Sequence, residues 1–272
     1  MRFLIPSALI TTASATGILL PLYVYPSATY NDGAANWTPV LTAASSNPFL
    51  RWLTVIDPQN GPGGTYLPGN NDINYITGVS KLNAHANIKT IGYVRTDYAK
   101  SPLDEVKHNI TTWKNWDTYT GANISVQGIF FDESAQDAAY MKEVVGFAKS
   151  TFGRAITTVC NFGAAVDAAY YGVCDVVVAF ESCLNCALGP QYKSGMTIDA
   201  NVPVDKRGQG AVIVHHFEGT AFDGSVADGG LVRKYLGTVK EKGLGWVYFC
   251  SKDYNDIGSG PATVGEVARG LA

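Results

Sequence analysis

Short apolar runs recur along this chain, with longer segments of helical patterning between them. Eight runs predict strands, at residues 18–25, 52–56, 89–94, 126–131, 155–160, 175–180, 211–217 and 245–250. Five further segments place apolar residues on one helical face, at residues 72–86, 103–116, 135–150, 227–242 and 263–271. Several of them begin at Asp or Ser, which cap helix N-termini. The alternation predicts an α/β fold with a parallel sheet and crossover helices.

A (β/α)8 TIM barrel closes with eight parallel strands, each followed by a helix. A length of 272 residues suits one such domain. The alternative is an open, doubly wound sheet. Its sequence signatures are missing, because no GxGxxG follows the first strand and no phosphate-loop motif occurs. We predict a single barrel domain over residues 16–272.

Two connections between predicted elements are unusually long. Residues 57–71 are rich in Gly, Pro and Asn, and residues 182–210 form the other connection. We predict that both are structureless loops with a functional role, because loops of this length in a compact domain usually carry function. Both follow strands, which places them on the catalytic face of a barrel.

Net charge excludes some classes of partner. The chain carries −3 at neutral pH, its pI is near 5.8, and no block of like charges occurs. We therefore expect neither a nucleic acid nor an anionic membrane as a partner. A neutral or cationic substrate and a monomeric protein are the expectations.

The first fifteen residues resemble a secretory signal. They combine Arg2, an apolar run over residues 3–10 and the small residues Ala13, Ser14 and Ala15. We predict cleavage near Ala15 and a secreted or cell-wall protein whose mature part does not insert into a membrane. An uncleaved anchor is the alternative. Glycosylation sequons beginning at three asparagines support secretion, namely Asn36, Asn109 and Asn123.

The five cysteines leave at least one thiol unpaired within the chain, and they are Cys160, Cys174, Cys183, Cys186 and Cys250. Cys183 and Cys186 form a CxxC, which in a secreted chain predicts a small loop disulfide more than a redox centre. Zinc would need more ligands than this cluster supplies. We expect neither a metal nor another cofactor.

Polar residues gather where the predicted strands end, which is where a barrel of this type builds its active site. In chain order they are Tyr23 and Tyr25; Asp57 and Gln59; Arg95 and Asp97; Asp132 and Glu133; Asn161; Glu181; His215, His216 and Glu218; and Lys252 and Asp253. Tyrosines near strand ends or in long loops could stack on sugar rings, although ordinary packing is the alternative; they are Tyr23, Tyr25, Tyr30, Tyr66, Tyr98 and Tyr254.

Two carboxylates facing a cleft are the groups that glycoside hydrolysis needs. Asp132 and Glu133 end an apolar strand, where desolvation makes acids costly, and Glu181 follows a nearby strand. We predict these three as catalytic. Neighbouring strand residues point to opposite sides, so Asp132 and Glu133 cannot both enter the cleft unless the strand has ended. The alternative is that such acids cap helices or pair with Arg95.

We expect the remaining polar strand ends to bind substrate. The predicted substrate-binding residues are Tyr23, Tyr25, Asp57, Arg95, Asp97, Asn161, His216 and Glu218.

Four segments together resemble the spherulin-4 family, which is grouped with glycoside hydrolase family 135. They are GILLPLYVYPSATY at residues 17–30, WLTVIDPQNGPG at 52–63, IKTIGYVRTDY at 88–98 and GIFFDES at 128–134. The resemblance extends over most of the mature chain and implies a (β/α)8 barrel. It also implies an endo-acting hydrolase of α-1,4-linked N-acetylgalactosamine in galactosaminogalactan, a secreted fungal exopolysaccharide.

The same resemblance implies an adjacent Asp-Glu pair and a later Glu in the active site. Asp132 and Glu133 match the pair, and Glu181 matches the later Glu by strand order, with Glu218 as the alternative. Two other functions stay open: a hydrolase that prefers deacetylated galactosamine, and a non-catalytic wall or spore-coat protein that binds polysaccharide.

Overall fold

Each of the eight predicted apolar runs forms a parallel strand, and together the strands close a barrel in chain order in the computed structural model. The structure describes residues 15–272. The predicted signal segment therefore lies outside the described residues, apart from Ala15. The strands are β1 Gly17–Leu22, β2 Trp52–Ile56, β3 Ile88–Arg95, β4 Gly128–Asp132, β5 Thr157–Asn161, β6 Val176–Cys183, β7 Gly210–His215 and β8 Trp246–Phe249.

Seven α-helices surround the barrel in the described part of the chain. They are α1 Thr38–Ser46, α2 Ile73–Asn83, α3 Leu103–Asn115, α4 Ala138–Phe152, α5 Gly195–Asn201, α6 Gly229–Glu241 and α7 Val264–Leu271. Asp72, Asp137 and Asp228 cap α2, α4 and α6 through their carboxylates, as the Asp signals in the sequence predict. The predicted (β/α)8 barrel is confirmed.

The sequence prediction missed α1 and α5. The first is rich in Thr, Ser and Ala and carries no acidic residue in its first turn or basic residue in its last turn, so its start and stop signals are weak. The second is only seven residues long. Because α5 lies within residues 182–210, the expectation of a structureless loop there was wrong.

Alternating strand residues point into the barrel and fill it. The interior cluster contains Leu19, Leu53, Val55, Ile91, Tyr93, Phe130, Val159, Val176, Val178, Ala211, Ile213 and Trp246, all of them buried. A second, larger cluster packs the outer faces of the strands against the helices. The interior is thus a packed core rather than a pore, and a site can form only above its top layer, at the carboxyl ends of the strands.

Helix α3 packs closely on β3. A Cβ built on Gly92 would lie 2.4 Å from Cδ2 of Trp113, so only glycine leaves room for this ring. The indole Nε1 of Trp113 donates to the backbone oxygen of Tyr93 at 2.7 Å. This contact fixes β3 beside the site, because a buried indole N–H needs a partner.

Two disulfides form in the structure, one between Cys160 and Cys174 and one between Cys183 and Cys186. Cys250 is the free, buried cysteine. The small loop disulfide predicted from the CxxC is thereby present. Disulfides of this kind are typical of oxidising compartments such as the extracellular space. Within residues 15–272, no helix has the length and apolar character needed to cross a membrane.

Candidate active site

Asp132 is the last residue of β4, and its side chain points into the mouth of the barrel. Phe130, two residues earlier, belongs to the interior cluster, so the alternation of a strand directs Asp132 to the same side. The Tyr93 hydroxyl donates to Asp132 Oδ2 at 2.7 Å, and the Asn161 amide donates to Oδ1 at 2.7 Å. Both carboxylate oxygens therefore accept a hydrogen bond.

A β-bulge in β6 brings Glu181 to the same place. Val178 pairs with Ala211, whereas Phe180 pairs with Val212, so the register shifts by one residue between them. Val178 lies in the interior cluster, but Phe180 lies in the outer cluster. Without the extra residue, simple alternation would turn Glu181 outward. Bulges commonly re-aim a side chain next to an active site.

Asn161, at the end of β5, connects the two acids. Its Nδ2 donates to Asp132 and also to Glu181, which uses both amide protons. Its Oδ1 accepts from the backbone N–H of Gly163 at 3.0 Å, and a backbone N–H can only donate, so the orientation of the amide is fixed. The nearest oxygens of Asp132 and Glu181 are thus separated by at most two hydrogen-bond lengths, about 6 Å.

Tyr254, in the segment after β8, completes the group by donating its hydroxyl to Glu181. The ring of Tyr23 packs edge to face against Tyr93 and Tyr254, with centroid distances of 5.7 and 5.5 Å. A continuous series of hydrogen bonds therefore runs from Tyr93 through the two acids and Asn161 to Tyr254. Networks of this kind hold buried polar groups in one arrangement.

Burial raises the pKa of both acids. Desolvation is the main cause of the raised pKa of Asp132, and hydrogen bonds from Tyr93, Asn161 and the Glu133 backbone oppose it. The pKa of Glu181 is raised by desolvation and then by the charge of Asp132, while bonds from Tyr254 and Asn161 oppose the shift. Asp132 accepts hydrogen bonds from three donors and Glu181 from two, so the surrounding donors favour the anion of Asp132 more than that of Glu181.

Glu133 shares the cavity although it follows Asp132 directly. Its φ of +51° turns the chain out of the strand, so both acids of the pair line one cavity. The Arg95 Nε contacts Glu133 Oε2 at 2.6 Å, which is the pairing considered as the alternative to catalysis. The hydroxyl oxygen of the buried Thr96 lies 2.8 and 2.9 Å from the backbone oxygens of Asp132 and Glu133, so its single proton is shared between them. This corner of the chain is therefore firmly held.

The resulting cavity has a volume of about 290 Å³ and opens at the carboxyl end of the barrel. Its lining consists of Tyr98, Asp132, Glu133, Asn161, Phe162, Gly163 and Glu181. The three acids predicted as catalytic thus meet in one cavity, together with the predicted ligand Asn161. A carboxylate-lined cavity with an aromatic wall matches the chemistry of a sugar.

Asp57 and Asp97 lie close to this cavity. Asp57 accepts from the backbone N–H of Gly61 at 2.8 Å, and burial raises its pKa to about 6, with a further contribution from the charge of Asp132. Asp97 contacts the Nη2 of Arg95 at 3.1 Å. Arg95 therefore joins Asp97 to Glu133 rather than standing free for a ligand.

Three predicted substrate-binding residues do not reach the carboxylates, namely Tyr25, His216 and Glu218. Tyr25 donates its hydroxyl to Asp72 Oδ2 at 2.7 Å, because β1 ends at Leu22 and not at residue 25. The side chain of His216 is exposed, and its Nδ1 lies 2.8 Å from Nδ1 of His215. Glu218 is exposed and does not line the cavity. Of the two alternatives for the third acid, Glu181 is the one that meets Asp132.

Sequence reasoning missed Tyr93 altogether. It lies inside β3, where strand propensity explains a tyrosine without any site, and Phe130 stacks beside it at 6.1 Å. The available signal was its position two residues before Arg95, on the inward face. Phe162 and Gly163 were also missed, because they follow Asn161 in a loop whose path the sequence does not indicate.

The fold and the site together define a (β/α)8 barrel protein with a cavity lined by three acids at the carboxyl ends of its strands. A sequence profile described as Spherulin4, the spherulation-specific family 4, matches residues 17–267. The chain therefore belongs to the spherulin-4 family. Spherulin-4 of Physarum polycephalum is 31% identical over 199 residues, which are 68% of this chain and 54% of that protein. The chain thus spans about half the length of that relative.

Solved structures give the same fold. Sph3 of Aspergillus clavatus, whose crystal structure is a complex with GalNAc, is 27% identical, and the match covers 94% of this chain and 97% of Sph3 at a TM-score of 0.76. Cel5A of Thermotoga maritima, in complex with cellobiose, is 10% identical at a TM-score of 0.51, with 96% and 97% of the two chains covered. The second match concerns the fold alone.

Proposed function

We propose that this protein is a secreted, endo-acting glycoside hydrolase that cleaves α-1,4-linked N-acetylgalactosamine with retention of configuration. The observation that carries the proposal is the bridge from Asn161 to Asp132 and Glu181. It keeps the nearest carboxylate oxygens within about 6 Å. Retaining enzymes hold the two carboxyl groups about 5–5.5 Å apart, whereas inverting enzymes need about 6.5–9.5 Å to admit a water.

The different surroundings of the two acids assign their roles. Protonated Glu181 gives its proton to the glycosidic oxygen while the carboxylate of Asp132 attacks the anomeric carbon, so the C–O bond breaks and a glycosyl–Asp132 ester forms. Glu181, now ionised, takes a proton from water, and the oxygen of that water attacks the same carbon and releases Asp132. Glu133 forms an ion pair with Arg95 and sets the charge and position of Asp132 and Glu181.

The stereochemistry of the substrate supports a protein nucleophile. In an α-linked 2-acetamido sugar, the acetamide lies on the same side of the ring as the leaving oxygen. It cannot attack the anomeric carbon from behind, so retention requires a carboxylate such as Asp132. The proposed sugar rests on the family resemblance and on the GalNAc bound to Sph3.

Deacetylated polygalactosamine is the second candidate substrate, and the charge of the site favours it. Asp57 and Asp132 interact through their charges, and Glu133 and Glu181 line the cavity, whereas Arg95 is already paired with two acids. A surplus of carboxylates attracts a cationic polymer. The two candidates share the same catalytic pair and differ in the group at C2.

Release of reducing ends from purified galactosaminogalactan, before and after chemical deacetylation, tests the proposal. We expect activity in the wild type and a loss of at least about 100-fold in Asp132→Asn and Glu181→Gln, with circular dichroism showing that both variants fold. The ratio of activities on the two polymers identifies the preferred one. Binding without release of reducing ends from either polymer would contradict hydrolysis and favour a wall or spore-coat protein.

A further inference from the structure

A second cavity is joined to the catalytic one by the ion pair between Arg95 and Glu133. It has a volume of about 380 Å³, within the range of about 300–1,000 Å³ typical of small-molecule sites. The loop after β2 forms one wall, and the beginning of α3 forms the other. Arg95 lines this cavity and also pairs with Glu133, which lines the catalytic cavity. The ion pair between Arg95 and Glu133 therefore connects the linings of the two cavities.

The lining of the second cavity combines an exposed aromatic ring with polar side chains. Tyr66 is 54% exposed, and its ring packs edge to face on His108 with a centroid distance of 4.6 Å. Asn60, Ser101 and Asn109 supply hydroxyl or amide groups nearby. A flat ring beside donors and acceptors is what binds a pyranose, which offers an apolar face and a rim of hydroxyls.

The loop that carries Tyr66 has strained backbone conformations of the kind found at ligand sites. Tyr66 and Asn60 have φ values of +58° and +50°, a conformation that costs non-glycine residues energy and that clusters at ligand sites. Asn70 Oδ1 accepts from the backbone N–H and the hydroxyl of Thr65 at 3.2 and 3.0 Å. The strain is therefore held in place by contacts within the loop.

A second exposed tyrosine, Tyr98, lies in the neighbouring catalytic cavity. Tyr98 is 56% exposed, has a φ of +55° and lines the catalytic cavity. Tyr98 lines the catalytic cavity and Tyr66 lines the second one. An aromatic ring in each of two adjacent cavities suits a polymer that passes over both, rather than a single sugar.

We propose that the cavity lined by Tyr66 and Asn60 is a second sugar-binding subsite, which holds a neighbouring residue of the polysaccharide during endo-cleavage. The inference rests on the proposed glycan substrate. It adds that the polysaccharide runs from the catalytic cavity into the cavity lined by Tyr66. It also requires that Asn109, which begins a sequon and lines this cavity, carries no glycan in the active protein, because a glycan there would fill the subsite.

Binding to a catalytically disabled protein tests the subsite without relying on hydrolysis. The affinities of galactosamine and N-acetylgalactosamine oligosaccharides of two to six residues are measured by calorimetry with Asp132→Asn, alone and combined with Tyr66→Ala, Tyr66→Phe or Phe49→Ala. Phe49 is the matched control, because it is 97% exposed and lies between α1 and β2, at the opposite end of the barrel.

We expect affinity to rise with oligosaccharide length in Asp132→Asn and in the Phe49→Ala control. Tyr66→Ala should reduce the affinity for the longer oligosaccharides by about three- to ten-fold and leave the shortest one unchanged, while Tyr66→Phe keeps most of the affinity. Equal affinities in the Tyr66→Ala and Phe49→Ala proteins at every length would overturn the subsite, as would no binding at all or a glycan on Asn109. If the wild type does not hydrolyse but the length dependence appears, the hydrolase proposal fails and the subsite stands.

Discussion

The hydroxyl of Tyr93 donates a hydrogen bond of 2.7 Å to Oδ2 of Asp132, and this bond joins the top of the barrel interior to the proposed nucleophile. Tyr93 lies among the interior side chains, so the floor of the site is packed and cannot shift. A donor fixed in this way stabilises the carboxylate before any substrate arrives.

Tyr93→Phe is predicted to slow hydrolysis and to shift its pH dependence. The change removes a donor to an ionised group, which contributes about 1.5–3 kcal/mol, so kcat should fall about 10- to 100-fold. Because this bond lowers the pKa of Asp132, its loss raises that pKa. The acid limb of kcat/KM should therefore move to higher pH. An unshifted acid limb would show that the bond does not act on Asp132.

Glu133→Gln is predicted to move the acid limb in the opposite direction. The charge of Glu133 raises the pKa of Asp132, so its removal lets Asp132 ionise at lower pH. The activity should fall as well, because the ion pair with Arg95 is lost. The pH profiles of Glu133→Gln and Tyr93→Phe, measured on the same substrate, check the signs. Shifts in the same direction would contradict this electrostatic account.

The buried carboxyl of Asp57 should lower the free energy of unfolding as the pH rises. Burial raises its folded pKa to about 6, from an ordinary value of 3.8. The folded protein therefore holds this proton more tightly than the unfolded chain, and stability falls as the pH rises from about 4 to about 6. In urea unfolding at several pH values, Asp57→Asn should flatten this fall by up to about 3 kcal/mol. The same slope in the variant and the wild type would contradict the assignment.

The two disulfides should differ in their contribution to stability. Cys160 and Cys174 are separated by 14 positions, whereas Cys183 and Cys186 are separated by three. Closing the longer loop removes more entropy from the unfolded chain, about 3 kcal/mol against about half of that. Replacing the first pair by alanine should therefore lower the free energy of unfolding more than replacing the second. Equal losses in urea unfolding would mean that loop entropy is not the cause.

The sequence predicts the barrel and part of the site for identifiable physical reasons. Strand and helix periods are local, and the alternation that points Phe130 inward also points Asp132 inward. Glu181 was assigned to the site by strand order, but the bulge that turns it inward depends on the pairing of β6 with β7, which no local pattern contains. For the same reason, the hydrogen bond from Tyr93 on β3 to Asp132 on β4 was not predicted.

Some predicted substrate-binding residues do not reach the carboxylates because the strands before them end earlier than predicted. β1 ends at Leu22 and not at residue 25, so Tyr25 contacts the N-cap of α2 instead of the cavity. Beyond β7, the φ of +47° at His216 turns the chain, and Glu218 faces solvent. Strand termini are set by barrel closure and by loop contacts, and both are non-local.

The anomeric configuration of the first product tests the central claim most directly, namely that Asp132 and Glu181 act as a retaining pair. Proton NMR recorded during the first minutes of hydrolysis, before mutarotation, distinguishes the two anomers at the new reducing end. The account predicts that the α anomer appears first and the β anomer grows later. If the β anomer appears first, the two acids admit a water between them, and the roles assigned to Asp132 and Glu181 are wrong.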